Sequence, residues 1–291
     1  MKNILVPTDF SLPAGNAARY AIAFAKQVSA DVTLCTAYQV PSDAPISTQV
    51  VWPLLTEDEV ESQVDDQLVK LANKMKGCSC EMTTDFCPQI NVKSEKGEVV
   101  EVVSALVKSQ KIDLVVMGMK GAGRFVKWVL GSNSKKMIDD ADFPVLYVPY
   151  PAKFKSVKKI AFATDLSPAD LKPLNFLLQL AATMSAEICV YHICSFEEEN
   201  SADEQGLYEY FYEQIISKLD YPHVKFEYIW HSDMDEGLQW MGNNSEIDLL
   251  AMVHRKHSLL DKLVNGSYVH QVSRITKVPL LVFQTTKDSD K

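Results

Sequence analysis

The sequence has no long apolar run and no cluster of basic residues. Its opening apolar run, Ile4 to Pro7, is only four residues long, whereas a membrane-spanning helix needs roughly 20. A signal peptide also needs a longer apolar segment than this. The 29 Lys and Arg residues are outnumbered by 38 Asp and Glu residues, for a net charge of −9. Because nucleic-acid surfaces attract basic proteins, we expect a cytoplasmic protein with neither a membrane nor a nucleic-acid partner.

Glycine is also scarce, and its distribution is uneven. Four of the 11 glycines lie within one stretch of 14 residues, at Gly118, Gly121, Gly123 and Gly131. A Walker phosphate loop ends in a lysine followed by a hydroxyl residue, but Arg124 and Phe125 stand at those positions. The dinucleotide fingerprint G-x-G-x-x-G does not match the spacing either. Both common phosphate-binding loops are therefore excluded.

The six cysteines do not indicate a metal site. Cys78, Cys80 and Cys87 are close together in the sequence, but a second pair of Cys or His residues at zinc-finger spacing is missing. We therefore predict reduced thiols for these three residues and no bound metal.

The chain repeats itself at half its length. Lys2 to Ser11 aligns with Lys159 to Ser167, which places Asp9 over Asp165. Near the other end of each repeat, Gly131-Ser132 aligns with Gly266-Ser267 at a constant offset of 135 residues. Self-similarity of this kind indicates a duplicated domain. We predict one domain over residues 1–150 and a second over residues 151–291, joined by a short link that contains Pro149 and Pro151.

Within each repeat, short β-branched runs alternate with helical patterns. Leu114 to Met117 is apolar at every position, as expected for a strand of a parallel sheet that is covered on both faces. Strands that alternate with helices predict a doubly wound α/β domain. In the second repeat, Glu204 to Leu219 is predicted as one helix, and no helix is assigned between Val253 and Leu280.

The glycine-rich stretch fits the pattern G-x2-G-x9-G-[ST], formed by Gly118, Gly121, Gly131 and Ser132. This pattern resembles the nucleotide-binding signature of ATP-binding universal stress proteins. The resemblance extends over both halves of the chain and includes Pro7-Thr8-Asp9 at the end of the first strand. It implies tandem five-stranded parallel sheets with strand order 3-2-1-4-5, with helices on both faces.

In such a sheet, ligands bind where strands 1 and 4 meet. By resemblance, Asp9 contacts the adenosine part of ATP, the backbone around Ala37 lines the adenine pocket, and Gly121, Gly131, Ser132 and Ser134 hold phosphates. Gly118, at a strand end, is expected to let the backbone approach a ribose or phosphate without a Cβ atom in the way. Asp9 also has a simpler interpretation as a turn or capping carboxylate, and the glycines as turn formers. The complete predicted site is Pro7, Thr8, Asp9, Ala37, Met117, Gly118, Lys120, Gly121, Gly131, Ser132, Asn133 and Ser134.

The second repeat loses this signature. The replacements are Val253 for Gly118, Lys256 for Gly121, Ser258 for Gly123 and Val269 for Ser134. We expect the β-branched side chain of Val253 to fill the space that a ribose or phosphate would need. One ATP per chain, held by the first domain, is therefore expected.

The resemblance implies an ATP-binding regulator or sensor of a stress response, with or without Mg²⁺. Two alternatives stay open: a stress scaffold that binds no nucleotide, and a slow ATPase. Rapid turnover is not expected, because the loop lacks a phosphate-binding lysine and an evident general base. The resemblance also implies an internal pseudo-dimer through the last strand of each domain, a homodimer of chains as a further option, and a protein partner that the sequence does not identify.

Overall fold

The computed structural model describes residues 1–40, 56–76, 86–119, 131–195, 202–231, 234–243, 246–255 and 268–284. The first half contains five strands and four helices: β1 (Asn3–Pro7), α1 (Leu12–Val28), β2 (Asp31–Tyr38), α2 (Glu57–Lys76), β3 (Ile90–Lys96), α3 (Val99–Gln110), β4 (Leu114–Met119), α4 (Ser132–Asp140) and β5 (Val145–Pro149).

The second half repeats this order. Its elements are β6 (Lys159–Thr164), a 3₁₀ turn (Pro168–Asp170), α5 (Leu171–Met184), β7 (Glu187–Ser195), α6 (Ala202–Gln214), a 3₁₀ turn (Ile216–Lys218), β8 (Val224–His231), α7 (Met234–Asn243), β9 (Leu249–His254), α8 (Tyr268–Ile275) and β10 (Leu280–Gln284).

All ten strands belong to one continuous sheet with the order β3-β2-β1-β4-β5-β10-β9-β6-β7-β8. Each half has the predicted strand order 3-2-1-4-5, with parallel neighbours throughout. The fold class is therefore confirmed. The strand order reverses between β1 and β4 in the first half and between β6 and β9 in the second, so each half has a switch point where ligands bind in such sheets.

The two halves meet through their last strands. β10 pairs antiparallel with β5, with Leu281 opposite Leu146. Side chains add to this junction, since His270 Nε2 lies 2.7 Å from Asp139 Oδ1, and Asn16 Nδ2 donates to the carbonyl of Ala152 at 2.9 Å. The antiparallel contact that was predicted between the last strands therefore exists within one chain.

Helix α1 shows why these elements form where they do. Ser11 caps it by accepting a hydrogen bond from the backbone of Ala14, which satisfies one of the free N–H groups at a helix start. Its alanine stripe is buried against the sheet. Ser29 ends the helix in a left-handed conformation. A helix lined with small residues can lie close to the strands, and this closeness determines the geometry of the site.

The structure corrects three details of the sequence prediction. Helix α8 was not predicted, and the predicted helix Glu204 to Leu219 is divided into α6 and a 3₁₀ turn. α8 is only eight residues long, which is shorter than the window of about 11–18 residues over which periodicity identifies a helix. The expectation of a reduced thiol at Cys87 is wrong, because this residue is disulfide-bonded and is not a buried strand residue such as Cys35. Cys78 and Cys80 lie outside the described residues.

Candidate functional site

A cavity of about 500 Å³ opens at the switch point of the first half. It lies at the carboxyl ends of β1, β2 and β4 and at the start of α4. The lining residues are Pro7, Thr8, Asp9, Phe10, Ser11, Pro13, Ala14, Thr36, Ala37, Tyr38, Val64, Val99, Met117, Gly118, Gly131, Ser132, Asn133 and Ser134. Residues far apart in the sequence are thus brought together at one edge of the sheet.

The end of β1 is a tight turn held by two side chains. Thr8 Oγ1 accepts a hydrogen bond from the backbone of Phe10 at 3.0 Å, and Asp9 Oδ1 accepts one from Ser11 at 3.0 Å. Phe10 has a φ angle of 60°, which a sharp reversal of direction requires here. The interpretation of Asp9 as a turn carboxylate therefore holds for Oδ1. Within the described residues Oδ2 has no hydrogen-bond partner, and Asp9 is exposed.

Gly118 has a different role from the one expected. A Cβ atom at this position would lie 2.4 Å from the carbonyl oxygen of Pro13 and 2.9 Å from the nitrogen of Ala14. Because these are backbone atoms of the first turn of α1, moving them would distort the helix. The glycine lets the start of α1 pack on the end of β4. The space that a side chain would fill is thus occupied by the helix start, rather than by a ribose or a phosphate.

Gly131 contrasts with Gly118. A Cβ atom built here would meet no atom of the described residues within 4 Å, and its φ of −61° suits any residue. The described part of the fold therefore does not require glycine at this position. Gly131 is the N-cap of α4, and no side chain caps the helix there. The free N–H groups at the start of α4 therefore face the cavity, and a helix start of this kind favours anions.

The opposite end of the cavity is less polar. Ala37 and Tyr38 at the end of β2, Val64 of α2 and Val99 of α3 contribute to its lining. Thr36 Oγ1 donates to the carbonyl of Thr8, which holds the ends of β1 and β2 together. The cavity thus combines apolar walls at one end with a helix N-terminus at the other.

Ten of the twelve predicted site residues line this cavity. Lys120 and Gly121 lie outside the described residues. Sequence reasoning missed the following lining residues: Phe10, Ser11, Pro13, Ala14, Thr36, Tyr38, Val64 and Val99. Phe10, Thr36 and Tyr38 are sequence neighbours of predicted site residues, and this position could have indicated them. Ser11, Pro13 and Ala14 follow the turn after Asp9 and are brought to the cavity by the start of α1. Val64 and Val99 come from helices and carry no local signal, because only the packing of α2 and α3 brings them to the cavity.

The second half has a smaller cavity, of about 150 Å³, at the equivalent place. Its lining residues are Ala163, Thr164, Asp165, Asp170, Ile193, Leu238, Met252, Val253, His254, Arg255, Tyr268 and Val269. The turn after β6 repeats the one after β1: Leu166 has a φ of 61°, and Thr164 Oγ1 accepts from the Leu166 backbone at 2.9 Å. The two sites therefore share a backbone framework.

An ion-pair cluster, with Asp170 buried and Asp165 exposed, occupies one wall of this second cavity. Arg255 Nε and Nη2 donate to the two carboxylate oxygens of Asp165, each at 2.6 Å, and Nη2 also donates to Asp170 Oδ1 at 2.6 Å. Thr164 Oγ1 donates to Asp170 Oδ2 at 2.6 Å. Burial raises the pKa of Asp170 to about 6, although the Arg255 charge opposes this shift. Both oxygens of Asp165 therefore accept hydrogen bonds, whereas among the described residues only Oδ1 of Asp9 does so.

In the part of the chain that the structure describes, no three His, Cys, Asp or Glu side chains are arranged to hold a metal ion. No described helix combines the length and the apolar character that crossing a bilayer requires.

Fold and site together define a tandem α/β protein with a cavity at the switch point of its first half. The model of the universal stress protein family matches residues 1–149 and again residues 156–284. The chain therefore belongs to the universal stress protein family, and the duplication that the sequence indicates is a tandem pair of such domains.

Individual relatives are distant. The chain is 28% identical over 174 residues to a universal stress protein from Synechocystis, in a match that covers 59% of this chain and 58% of that protein. It is 27% identical over 152 residues to one from Methanocaldococcus jannaschii, covering 52% of this chain and 84% of the relative. The match thus spans little more than half the length of the first relative.

Among solved structures, a universal stress protein from Archaeoglobus fulgidus superimposes with a TM-score of 0.71. The sequence identity is 18%, and the match covers 97% of this chain and 98% of that chain. This similarity supports the fold over nearly the whole length.

Proposed function

We propose that the protein is an ATP-binding regulator or sensor of a stress response, with one ATP held in the first half. The observation that carries this proposal is Gly131. Its φ angle and the described residues around it would accept any side chain, yet the residue is a glycine at an uncapped helix start. A ligand that approaches the backbone closely explains a glycine that the fold does not need.

The cavity provides complementary chemistry for each part of ATP. The N–H groups at the start of α4 would hold phosphate oxygens, assisted by the hydroxyl groups of Ser132 and Ser134. The free Oδ2 of Asp9 would accept a hydrogen bond from a ribose hydroxyl. The apolar end near Ala37 and Val99 would take the adenine ring. The volume of about 500 Å³ falls within the range of about 300–1,000 Å³ for small-molecule sites.

The described lining favours holding ATP over cleaving it. Asp9 is the single charged residue among the described residues that line this cavity, and phosphoryl transfer depends on positioned positive charge. Mg²⁺, when it accompanies ATP, would be held chiefly by the phosphates, because no second described carboxylate lines the cavity. We therefore propose a role that depends on occupancy by ATP, exercised in the cytoplasm, with slow hydrolysis at most.

The two halves would act as one body. We assign residues 1–150 and 151–291 to the two domains, which form an internal pseudo-dimer through β5 and β10. Since the β5 edge is used inside the chain, a homodimer or a partner protein would have to bind another surface.

Titration calorimetry with ATP tests this proposal directly. The wild type is expected to bind, and Gly131→Ala is expected to bind about tenfold more weakly or worse, with a change in stability below about 1 kcal/mol. Gly206→Ala is the matched control, because a Cβ atom there also meets open space but lies far from the cavity. Absence of heat with the wild type would favour the nucleotide-free scaffold, and equal binding by Gly131→Ala would remove the argument from Gly131.

A further inference from the structure

The second-half cavity is more aliphatic than the first-half cavity at three equivalent positions. Ile193 stands where the first half has Ala37, Val253 replaces Gly118 and Val269 replaces Ser134. All three side chains line the cavity together with Leu238 and Met252. Ile193 and Val269 are buried, at 5% and 2% exposure. The hydroxyl of Ser134 and the space beside Ala37, both part of the proposed ATP site, are therefore replaced by hydrocarbon.

The charged groups of the same cavity are directed at one another. Arg255 spans Asp165 and Asp170 through Nε and Nη2, and the second oxygen of Asp170 is bonded to Thr164. Arg255 Nη1 is buried without a hydrogen-bond partner among the described residues, but the two adjacent carboxylates would oppose an anion there. A charged ligand would have to open this cluster at a cost in desolvation.

The volume restricts the size of the occupant. The cavity measures about 150 Å³, less than a third of the first-half cavity of about 500 Å³. A cavity of about 150 Å³ that is lined by Leu, Ile and Phe side chains is large enough to bind benzene. An adenine nucleotide is much larger than this space.

We propose that the second-half cavity binds an uncharged, apolar molecule about the size of a six-membered ring. The aliphatic residues contact the ring, and the closed ion-pair cluster forms a wall without a free charge. The protein would then carry two ligand sites of different chemistry on the same framework, and the second does not depend on ATP binding by the first.

Two equivalent methionines make the test internally controlled. Met117 lines the first cavity and Met252 the second, and each is 6% exposed. Protein with ¹³C-labelled methionine methyl groups is titrated with toluene and followed by NMR. We expect a saturable shift of the Met252 methyl signal and none at Met117. Absence of a saturable shift at Met252 up to the solubility limit of toluene would overturn the proposal.

Charged analogues of toluene provide a second test. Benzoate and benzylamine have nearly the same shape as toluene but carry a negative and a positive charge, and each should bind at least about tenfold more weakly. Tighter binding of either would contradict the proposal, because the site would then recognise a charge.

Val269→Phe and Ala163→Leu add volume from two different walls, and the variant that folds is expected to lose the toluene shift at Met252. A folded variant that keeps wild-type toluene affinity would show that toluene binds elsewhere.

Discussion

The two switch points of this protein share a backbone and differ in how their polar groups are used. The turns after β1 and β6 have the same hydrogen bonds and the same left-handed residue, Phe10 or Leu166. In the first half, Asp9 has one oxygen free of partners in the described chain and faces a large cavity. In the second half, Asp165 is held on both oxygens by Arg255. The guanidinium group thus occupies the hydrogen-bonding positions that a ligand could use.

The helix start beside each site differs as well. Gly118 allows α1 to begin at Leu12, against the end of β4. Val253 has a side chain at the equivalent position, and there the chain forms a 3₁₀ turn, Pro168–Asp170, before α5 begins at Leu171. That turn brings Asp170 to the position of Ala14 and buries it beside Arg255. The replacement of Gly118 by Val253 therefore accompanies a different helix start, and this helix start supplies Asp170 to the ion-pair cluster.

The largest expected effect is on the cluster itself. Arg255→Met leaves the buried carboxylate of Asp170 without its positive partner, which should cost about 3–5 kcal/mol of unfolding free energy at pH 8. Chemical denaturation followed by circular dichroism measures this loss. Lys136→Met is the control, because it removes an exposed pair with Glu98 whose atoms are 3.9 Å apart, and should cost below about 1 kcal/mol. Similar losses in both variants would mean that the second-half cluster is an ordinary surface feature.

Gly118→Val should destabilise the first half by about 3 kcal/mol, because the added Cβ atom would overlap the Pro13 carbonyl. Gly206→Val introduces the same side chain where a Cβ atom meets open space, and its effect should stay below about 1 kcal/mol. Thermal unfolding of both variants checks this contrast. A tolerated Gly118→Val would show that the position of α1 does not depend on this glycine.

Asp170 should give the second half a distinctive pH dependence. Its pKa in the folded protein, about 6, is raised above the ordinary value of 3.8, so the folded state binds the proton more tightly. Stability from this group is therefore highest below about pH 4 and is lost as the pH rises through 6, by about 3 kcal/mol in total. Unfolding free energies of the wild type and Asp170→Asn, compared from pH 4 to 8, isolate this contribution. A difference between them that does not change with pH would contradict the raised pKa.

The smallest expected effect concerns Asp9 and Asp165, which occupy equivalent positions in the two halves. Asp9→Ala should weaken ATP binding about tenfold, because the ribose loses one acceptor. Asp165→Ala should leave ATP affinity unchanged while lowering stability, because Arg255 loses a partner. Calorimetric titration of both variants with ATP shows which half of the chain binds the nucleotide. Equal losses of affinity would place nucleotide in the second half as well.

The two α/β domains could be predicted from sequence because apolar strands, helix stripes and the repeat are local patterns. The strand order and the place of the first site followed from the resemblance to universal stress proteins, which Gly118 and Gly131 carry. The reason for Gly118 could not be predicted, since the contact with Pro13 joins residues more than 100 positions apart. The Arg255 cluster was missed for the same reason: Asp165 and Arg255 are 90 residues apart, and neither belongs to a recognisable spacing.

The number of ATP molecules bound per chain tests the difference between the halves most directly. Native mass spectrometry at saturating ATP, supported by calorimetric stoichiometry, measures it without any substitution. We predict one ATP per chain, with the ¹³C signal of the Met117 methyl group shifted and that of Met252 unchanged. Two ATP per chain with similar affinities would contradict the account, because the second half would then bind nucleotide despite its aliphatic lining and its engaged Asp165.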